Sequence, residues 1–243
     1  MKTTNKSEVT LINHMGSDIS VVNAARVSFD KESDYRYIGF REQYDDFGDV
    51  VKRTHIVVLE EQDERLIRYL AKHNHWSPFA HTSIQLRVDS PIFVARQLVK
   101  HQVGGVWNEI SRRYVDSEPV FYFPDVWRKR SESAKQGSSD EAVDVMGMAK
   151  AFTEDVNPEA IVDNTLACYQ WMLEEGVAPE QARMILPQNM MTSWYWTGSL
   201  MFFHRVYKQR IDDHAQKETQ EVAQKIGEIC KRLFPVSWAE LNG

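Results

Sequence analysis

At 243 residues and 28.3 kDa the chain can bury a substantial core, as one large domain or two small ones. Hydrophobic residues make up 42% and charged residues 26%, and the formal charge of −6 excludes a surface that generally neutralises nucleic-acid phosphates. No apolar run reaches the roughly 18 residues of a membrane span, and MKTTNKSEVT has no secretory apolar core. The expectation is therefore a cytoplasmic protein with small-molecule partners, no nucleic acid and no membrane. Cys168 and Cys230 form no C-x-x-C pair and fit a reduced chain.

Taken in order, residues 8–13 alternate as a first strand, and residues 18–27 read as a helix opened by a capping Ser or Asp. Residues 30–58 are polar and irregular. A helix over about 62–73 places Leu66, Ile67 and Leu70 on one face. From Phe79 to Asp89 the pattern becomes alternating, with Ile84, Leu86 and Val88 on one side of a half-buried strand. Ser90-Pro91 then starts a helix carried from Ile92 to Gln102, with Ser90 as its cap.

Residues 128–141 are the most polar stretch and are expected to form an exposed loop. Beyond them the chain reads almost wholly helical. Asn157-Pro158 opens one helix that Gly176 closes, and Pro179 opens another ending before Pro187. A long helical pattern spans about 189–209, and a last helix from near Asp212 buries Ala215, Thr219, Val222, Ile226, Ile229 and Leu233. The fold class is α+β, a few strands followed by a helical second half. No linker divides it, so residues 1–243 read as a single domain.

The densest chemistry follows Pro91. On a helix, Arg96 and Lys100, like Gln97 and His101, fall on shared rows four residues apart. Gly104-Gly105 lets backbone approach a ligand, and Asn108-Glu109-Ile110-Ser111-Arg112-Arg113-Tyr114 offers donors and acceptors for a phosphate and a base edge. A solvated helix face and a turn would explain the helix alone. The string after it favours a ligand site.

The string RQLVKHQVGGVWNEISRRY, residues 96–114, resembles the signature of the flavin-dependent thymidylate synthases, R-H-R, a short spacer and N-E-x-S-x-R-Y. The resemblance continues in AARVSF (24–29), HWSPFAH (75–81), PIFVARQ (91–97), Ala182-Arg183 through Pro187, WTGSL (196–200) and Arg210 through Gln216. Lys100 and Gln102 depart from it, standing where two arginines flank the family's histidine, and the spacer before Asn108 is one residue longer. Lysine keeps the charge without the planar fork, and glutamine loses the charge.

The resemblance implies a small twisted sheet flanked by helices with a largely helical C-terminal half. It implies conversion of dUMP to dTMP, with 5,10-methylenetetrahydrofolate as carbon donor and NADPH-reduced FAD as hydride source. Ser28, Ser77, Lys100, His101, Gln102, Asn108, Glu109, Ser199 and Arg205 match flavin-contacting positions. In a homotetramer with shared sites, dUMP would meet Gln97 and Lys100 of one subunit and Glu109, Ile110, Ser111, Arg112, Arg113, Arg183 and Arg210 of another. Arg210 matches the arginine that activates the uracil.

Two rival readings are a flavin- or nucleotide-binding protein on the same fold with weakened catalysis, motivated by Lys100 and Gln102, and a metal-dependent nucleic-acid enzyme using His73, His75 and His81. Ligand spacing for a metal is missing, so none is expected. Trp194-Tyr195-Trp196 suits helix packing or ring stacking, and Met184, Met190, Met191 and Met201 suit core gaps. Both cysteines read as small apolar core residues rather than nucleophiles.

Overall fold

Period-two burial organises the central sheet. Along Ser83–Pro91, Ile84, Leu86 and Val88 are fully buried while Arg87 is exposed. The same rhythm runs through Met191–Gly198, where Thr192, Trp194 and Trp196 are buried between more exposed neighbours. The computed structural model describes residues 1–47, 49–115, 117–131, 137–152 and 157–243. Four strands lie in the spatial order Glu8–Met15, Ser83–Pro91, Met191–Gly198, Gly105–Glu109. The sheet is thus assembled from segments distant in sequence, and α+β is the observed class.

The chain divides into two compact units. The first comprises Met1–Ile12, Gln85–Thr197 and Arg205–Ile226, and contains most of the sheet. Its satellite core joins Phe121, Val162, Leu166, Tyr169, Ala182 and Met190. The helix Pro158–Glu174 supplies three of these side chains. Asn157 caps it by accepting the Ala160 N–H at 2.8 Å, and Gly176, at φ +81°, releases it. Lys2–Thr4 adds a short strand parallel to Val120–Tyr122.

The second unit comprises Asn13–Ile84, Gly198–His204 and Gly227–Gly243. In it the helices Asp18–Arg26, Glu61–Lys72 and Pro235–Asn242 pack together over Val21, Val22, Ile67 and Leu70. Asp18 does not cap its own helix, which Ser17 precedes. Its carboxylate accepts the Val236 and Ser237 N–H groups at 3.0 and 2.8 Å, capping the terminal helix. Arg26 pairs with the fully buried Asp63, whose Oδ1 also accepts the Ser33 hydroxyl at 3.0 Å.

Several sequence expectations need correction. Met191–Gly198 is a strand, and a helix starts only at Leu200, its turn stabilised by a Phe202 N–H to Ser199 Oγ bond of 3.2 Å. The alternating aromatic and β-branched residues at 192–197 are strand formers whose period was masked by the apolar helix that follows. Residues 30–58 contain an antiparallel hairpin, Arg36–Tyr44 against Val50–Val58. Both its faces are largely exposed, so no buried stripe marks it in sequence. Cross-strand contacts hold it instead, with Arg53 bonded to Glu42 at 2.9 Å and its guanidinium 4.5 Å from the Phe40 ring centre.

The polar stretch 128–141 likewise includes strand, Trp127–Arg130 pairing with Ser138–Val143, while its residues 132–136 lie outside the described residues. Ser90 is a buried strand residue bonded to Ser7 Oγ at 2.8 Å, and Pro91 occupies the cap position. Pro179 opens one short turn, Pro179–Ala182, followed by a 3-10 turn. The last long helix begins at Lys217, because Asp212 closes a preceding turn through the Ala215 N–H at 2.8 Å. Cys168 and Met184 are exposed, unlike the buried Cys230, Met190 and Met201. No helix among the described residues is long and apolar enough to cross a membrane.

Removing the carboxylate of Asp18 leaves one buried and one half-buried N–H group without acceptors. Asp18→Ala is expected to cost on the order of 2 kcal/mol, read as a lower urea midpoint. An unchanged midpoint would show that the cap contributes nothing.

Candidate active site

The site is built around a helix that ends early. Ile92–Leu98 stops four residues short of Gln102, so Lys100, His101 and Gln102 sit on the turn beyond it rather than on one helical face. The His101 N–H bonds back to Leu98 O at 3.0 Å, the tighter three-residue spacing of a closing turn. This leaves the Gln97 carbonyl without the N–H that a continuing helix would give it. Gly104, at φ +85°, then reverses the chain, and Gly105 opens the strand Gly105–Glu109. The glycine pair is therefore a turn device first.

Arg210, the last residue of helix Leu200–Arg210, satisfies that carbonyl. Its Nη2 donates to Gln97 O at 2.9 Å, and its Nε donates to His101 Nε2 at 2.9 Å. His101 must accept at Nε2, so it is neutral with its proton on Nδ1. Burial, then the adjacent Arg210 charge, pushes the His101 pKa below its ordinary 6.5. Burial also lowers the Arg210 pKa from the usual guanidinium value, leaving it cationic.

The Gln97 side chain is held from both ends. Its Nε2 donates to Gln216 Oε1 at 2.7 Å, and its Oε1 accepts the Thr219 hydroxyl at 3.2 Å. Gln97 and Arg210 line a cavity of about 1400 Å³ with Phe93, Tyr122, Arg128 and Glu218. Arg128 and Glu218 form an ion pair on its wall, and Glu218 is 4% exposed.

A second cavity, of about 830 Å³, is lined by Glu109, Ile110, Arg112 and Arg183. Here Glu109 accepts the Thr192 hydroxyl at 2.7 Å and the Trp107 indole N–H at 3.2 Å. Trp107 stacks on buried Trp194 with ring centres 4.2 Å apart, which fixes the strand end that carries Glu109. Ser111 Oγ accepts from Arg113 at 3.2 Å and Arg183 at 3.3 Å, drawing two cations together. Burial depresses the Arg112 pKa, and its guanidinium bonds Ser117 O.

The expected residues thus fall into separate sets. Gln97, His101 and Arg210 are joined by hydrogen bonds, whereas Glu109, Ile110, Arg112 and Arg183 line the other cavity, with Ser111 bonded to Arg183 and Arg113. Arg210 is bonded to Gln97 and not to the Glu109 group. Lys100, Gln102, Asn108 and Arg205 are exposed residues of the same unit. Ser28, Ser77 and Ser199 belong to the other unit, with Ser28 exposed between exposed Val27 and Phe29.

Sequence reasoning missed Gln216 and Thr219, which hold Gln97, and Thr192, which orients Glu109. Gln216 closes the segment starting at Arg210 that resembles the family, so a signal existed. Thr192 was hidden by the helical reading of its strand. His73 and His75 lie against the Tyr69 ring, with centres 4.3 and 5.7 Å away.

Residues 10–236 match the family model Thy1, described as thymidylate synthase complementing protein. A flavin-dependent thymidylate synthase of Thermus thermophilus is 36% identical over 234 residues, 96% of this chain and 75% of the relative. Another, of Kosmotoga olearia, is 33% identical over 244 residues, 98% of this chain and 91% of the relative. The crystal structure of a UMP/dUMP methylase, PolB from Streptomyces cacaoi, bound with 5-Br dUMP, superposes with a TM-score of 0.77. Its sequence is 26% identical, and the match covers 100% of this chain and 97% of that one. The chain belongs to the flavin-dependent thymidylate synthase family.

His101 links the site to pH. The unfolded chain takes up the imidazole proton near 6.5, while the folded chain resists it, so stability is whole above that pH and falls below it. Between about pH 7.5 and 5.5 the wild-type urea midpoint should fall more than that of His101→Gln. Parallel profiles would mean that His101 does not titrate as this geometry requires.

Proposed function

We propose that this protein is a thymidylate synthase that methylates dUMP to dTMP, with FAD bound, 5,10-methylenetetrahydrofolate as carbon donor and NADPH as reductant. The observation that carries the reading is Arg210, a cation anchored by two bonds at the wall of a large cavity. The family supports the flavin, and the bromo-dUMP bound to PolB supports the nucleotide. The larger cavity, of about 1400 Å³, exceeds the roughly 300–1,000 Å³ of an ordinary ligand pocket, which supports a site shared by more than one ligand. When bound, the flavin supplies the hydride chemistry.

The chain's own contribution is electrostatic. A guanidinium held against the uracil N3 and O4 edge favours the anionic form of the ring, which raises electron density at C5 for attack on the one-carbon unit. Arg112, Arg113 and Arg183 form a fork for phosphate, with Ser111 and Glu109 as hydroxyl and carboxylate partners for the sugar and base. The two cavities share no lining residue. We assign the Gln97 side to one subunit and the Glu109–Arg183 side to its neighbour, moving Arg210 from the Glu109 group, where the resemblance places it, to the Gln97 side to which it is bonded, in a homotetramer of single-domain chains in the cytosol. Ser28, Ser77, Lys100, His101, Gln102, Asn108, Glu109, Ser199 and Arg205 are the proposed flavin-facing positions.

Arg210→Ala should lower dTMP formation by at least about 100-fold with FAD still bound, measured at equal flavin occupancy. Near-normal turnover would move the activating role elsewhere.

A thiol mechanism is disfavoured by the cysteines themselves. Cys230 is buried, and burial pushes its thiol pKa up, away from thiolate. Cys168 is exposed and lines neither cavity. Replacing both by alanine should leave turnover within about five-fold of the parent, since no covalent thiolate step is lost. A folded, flavin-loaded double variant that makes no dTMP would establish a cysteine nucleophile.

A further inference from the structure

We propose that His101 is a positioning residue for Arg210, its Nε2 lone pair and the orphaned Gln97 carbonyl forming a two-point cradle for the activating guanidinium. The inference rests on the reading of Arg210 as the uracil-activating group. It goes beyond a flavin contact for His101, because the ring atom it assigns is already engaged within the chain.

The geometry is specific. A guanidinium has five N–H donors in one plane, and fixing Nε and one Nη fixes that plane. Both bonds are 2.9 Å, one to a side-chain nitrogen and one to a main-chain oxygen. They lie on the Nε–Nη2 side, which leaves Nη1 for a ligand in the cavity that Arg210 lines. A helix terminus supplies the carbonyl, and the next turn supplies the imidazole. Because Nε2 must accept, the cradle exists only while His101 is neutral. Protonation would place a second cation against Arg210 and break the Nε bond. Lys208 and Arg210 from one helix, Asp212 and His214 from the turn beyond it, Glu218 from the next helix and Tyr122 from the strand Val120–Tyr122 are the ionisable groups on the same cavity, with Arg128 paired to Glu218. Lys100 is exposed on His101's own turn.

The imidazole keeps its Nδ1–H and ring faces for other contacts, so flavin binding and Arg210 orientation are separable. Gln can place an acceptor oxygen near the Nε2 position, Asn is too short to reach it, and Leu has none. In holoenzyme at equal flavin occupancy, His101→Leu and His101→Asn should lower kcat about 100-fold, the scale of a misplaced catalytic group, with a smaller change in KM for dUMP. His101→Gln should recover to within about ten-fold of wild type and lose the acid limb of the kcat profile. Independently of turnover, His101→Leu and Arg210→Ala should shift the urea midpoint non-additively.

If Leu and Gln fall equally, or if Leu stays near wild type, the cradle is wrong. Should His101→Leu fail to fold, the Gln–Asn contrast decides alone. A wild-type protein that neither binds nor methylates dUMP would sink the substrate reading instead, and the midpoint coupling would still report whether the bond exists.

Discussion

The Gln97 carbonyl is where this site begins. A helix starting after Pro91 ends at Leu98, and a carbonyl that would have closed another helical turn is left open in a half-buried place. Such a group is costly to leave without a donor. Arg210 supplies one from 113 residues further along the chain. That single bond ties the end of one helix to the end of another and sets a cation at the cavity wall. The bonds that Gln216 and Thr219 make to the Gln97 side chain keep the same residue from rotating away.

The same arrangement recurs in the strand pair of the second cavity. Glu109 emerges at the end of Gly105–Glu109, where an exposed side chain would be free to wander. Thr192 and Trp107 hold its two oxygens, and the Trp107–Trp194 stack packs the strand that carries it against its neighbour. Packed aromatics thus fix polar groups whose directions matter. In each set, one polar residue fixes the direction of another through hydrogen bonds.

Sequence made the family more visible than the architecture. The N-E-x-S-x-R-Y string, Arg183 and Arg210 could be picked out because charged and polar residues at matched spacing stand out. So could Ser83–Pro91 and Pro158–Glu174, whose alternation and capping are local. The strand Met191–Gly198 was misread because two fully buried tryptophans around an exposed tyrosine look equally at home on a helix. The hairpin at 36–58 carries no one-sided apolar pattern at all. Long-range pairing, from Asp18 to Ser237 or Gln97 to Arg210, depends on the fold and leaves no mark in either segment.

What Lys100 and Gln102 touch decides how much their divergence matters. Both are exposed, and neither provides a bond to Arg210. The guanidinium is held by one main-chain oxygen, which no substitution at its own position removes, and by His101, which the resemblance places at the family's histidine. A change from arginine to lysine keeps a positive charge on this turn, whereas the glutamine lowers it by one unit. The loss therefore falls on attraction for an anionic ligand at an exposed position, where solvent and salt already weaken it. It does not fall on the bonds that hold the Arg210 guanidinium. The bonds that hold Arg210 are therefore independent of both departures, and Lys100 and Gln102 give no structural ground for reading this chain as a weakened relative.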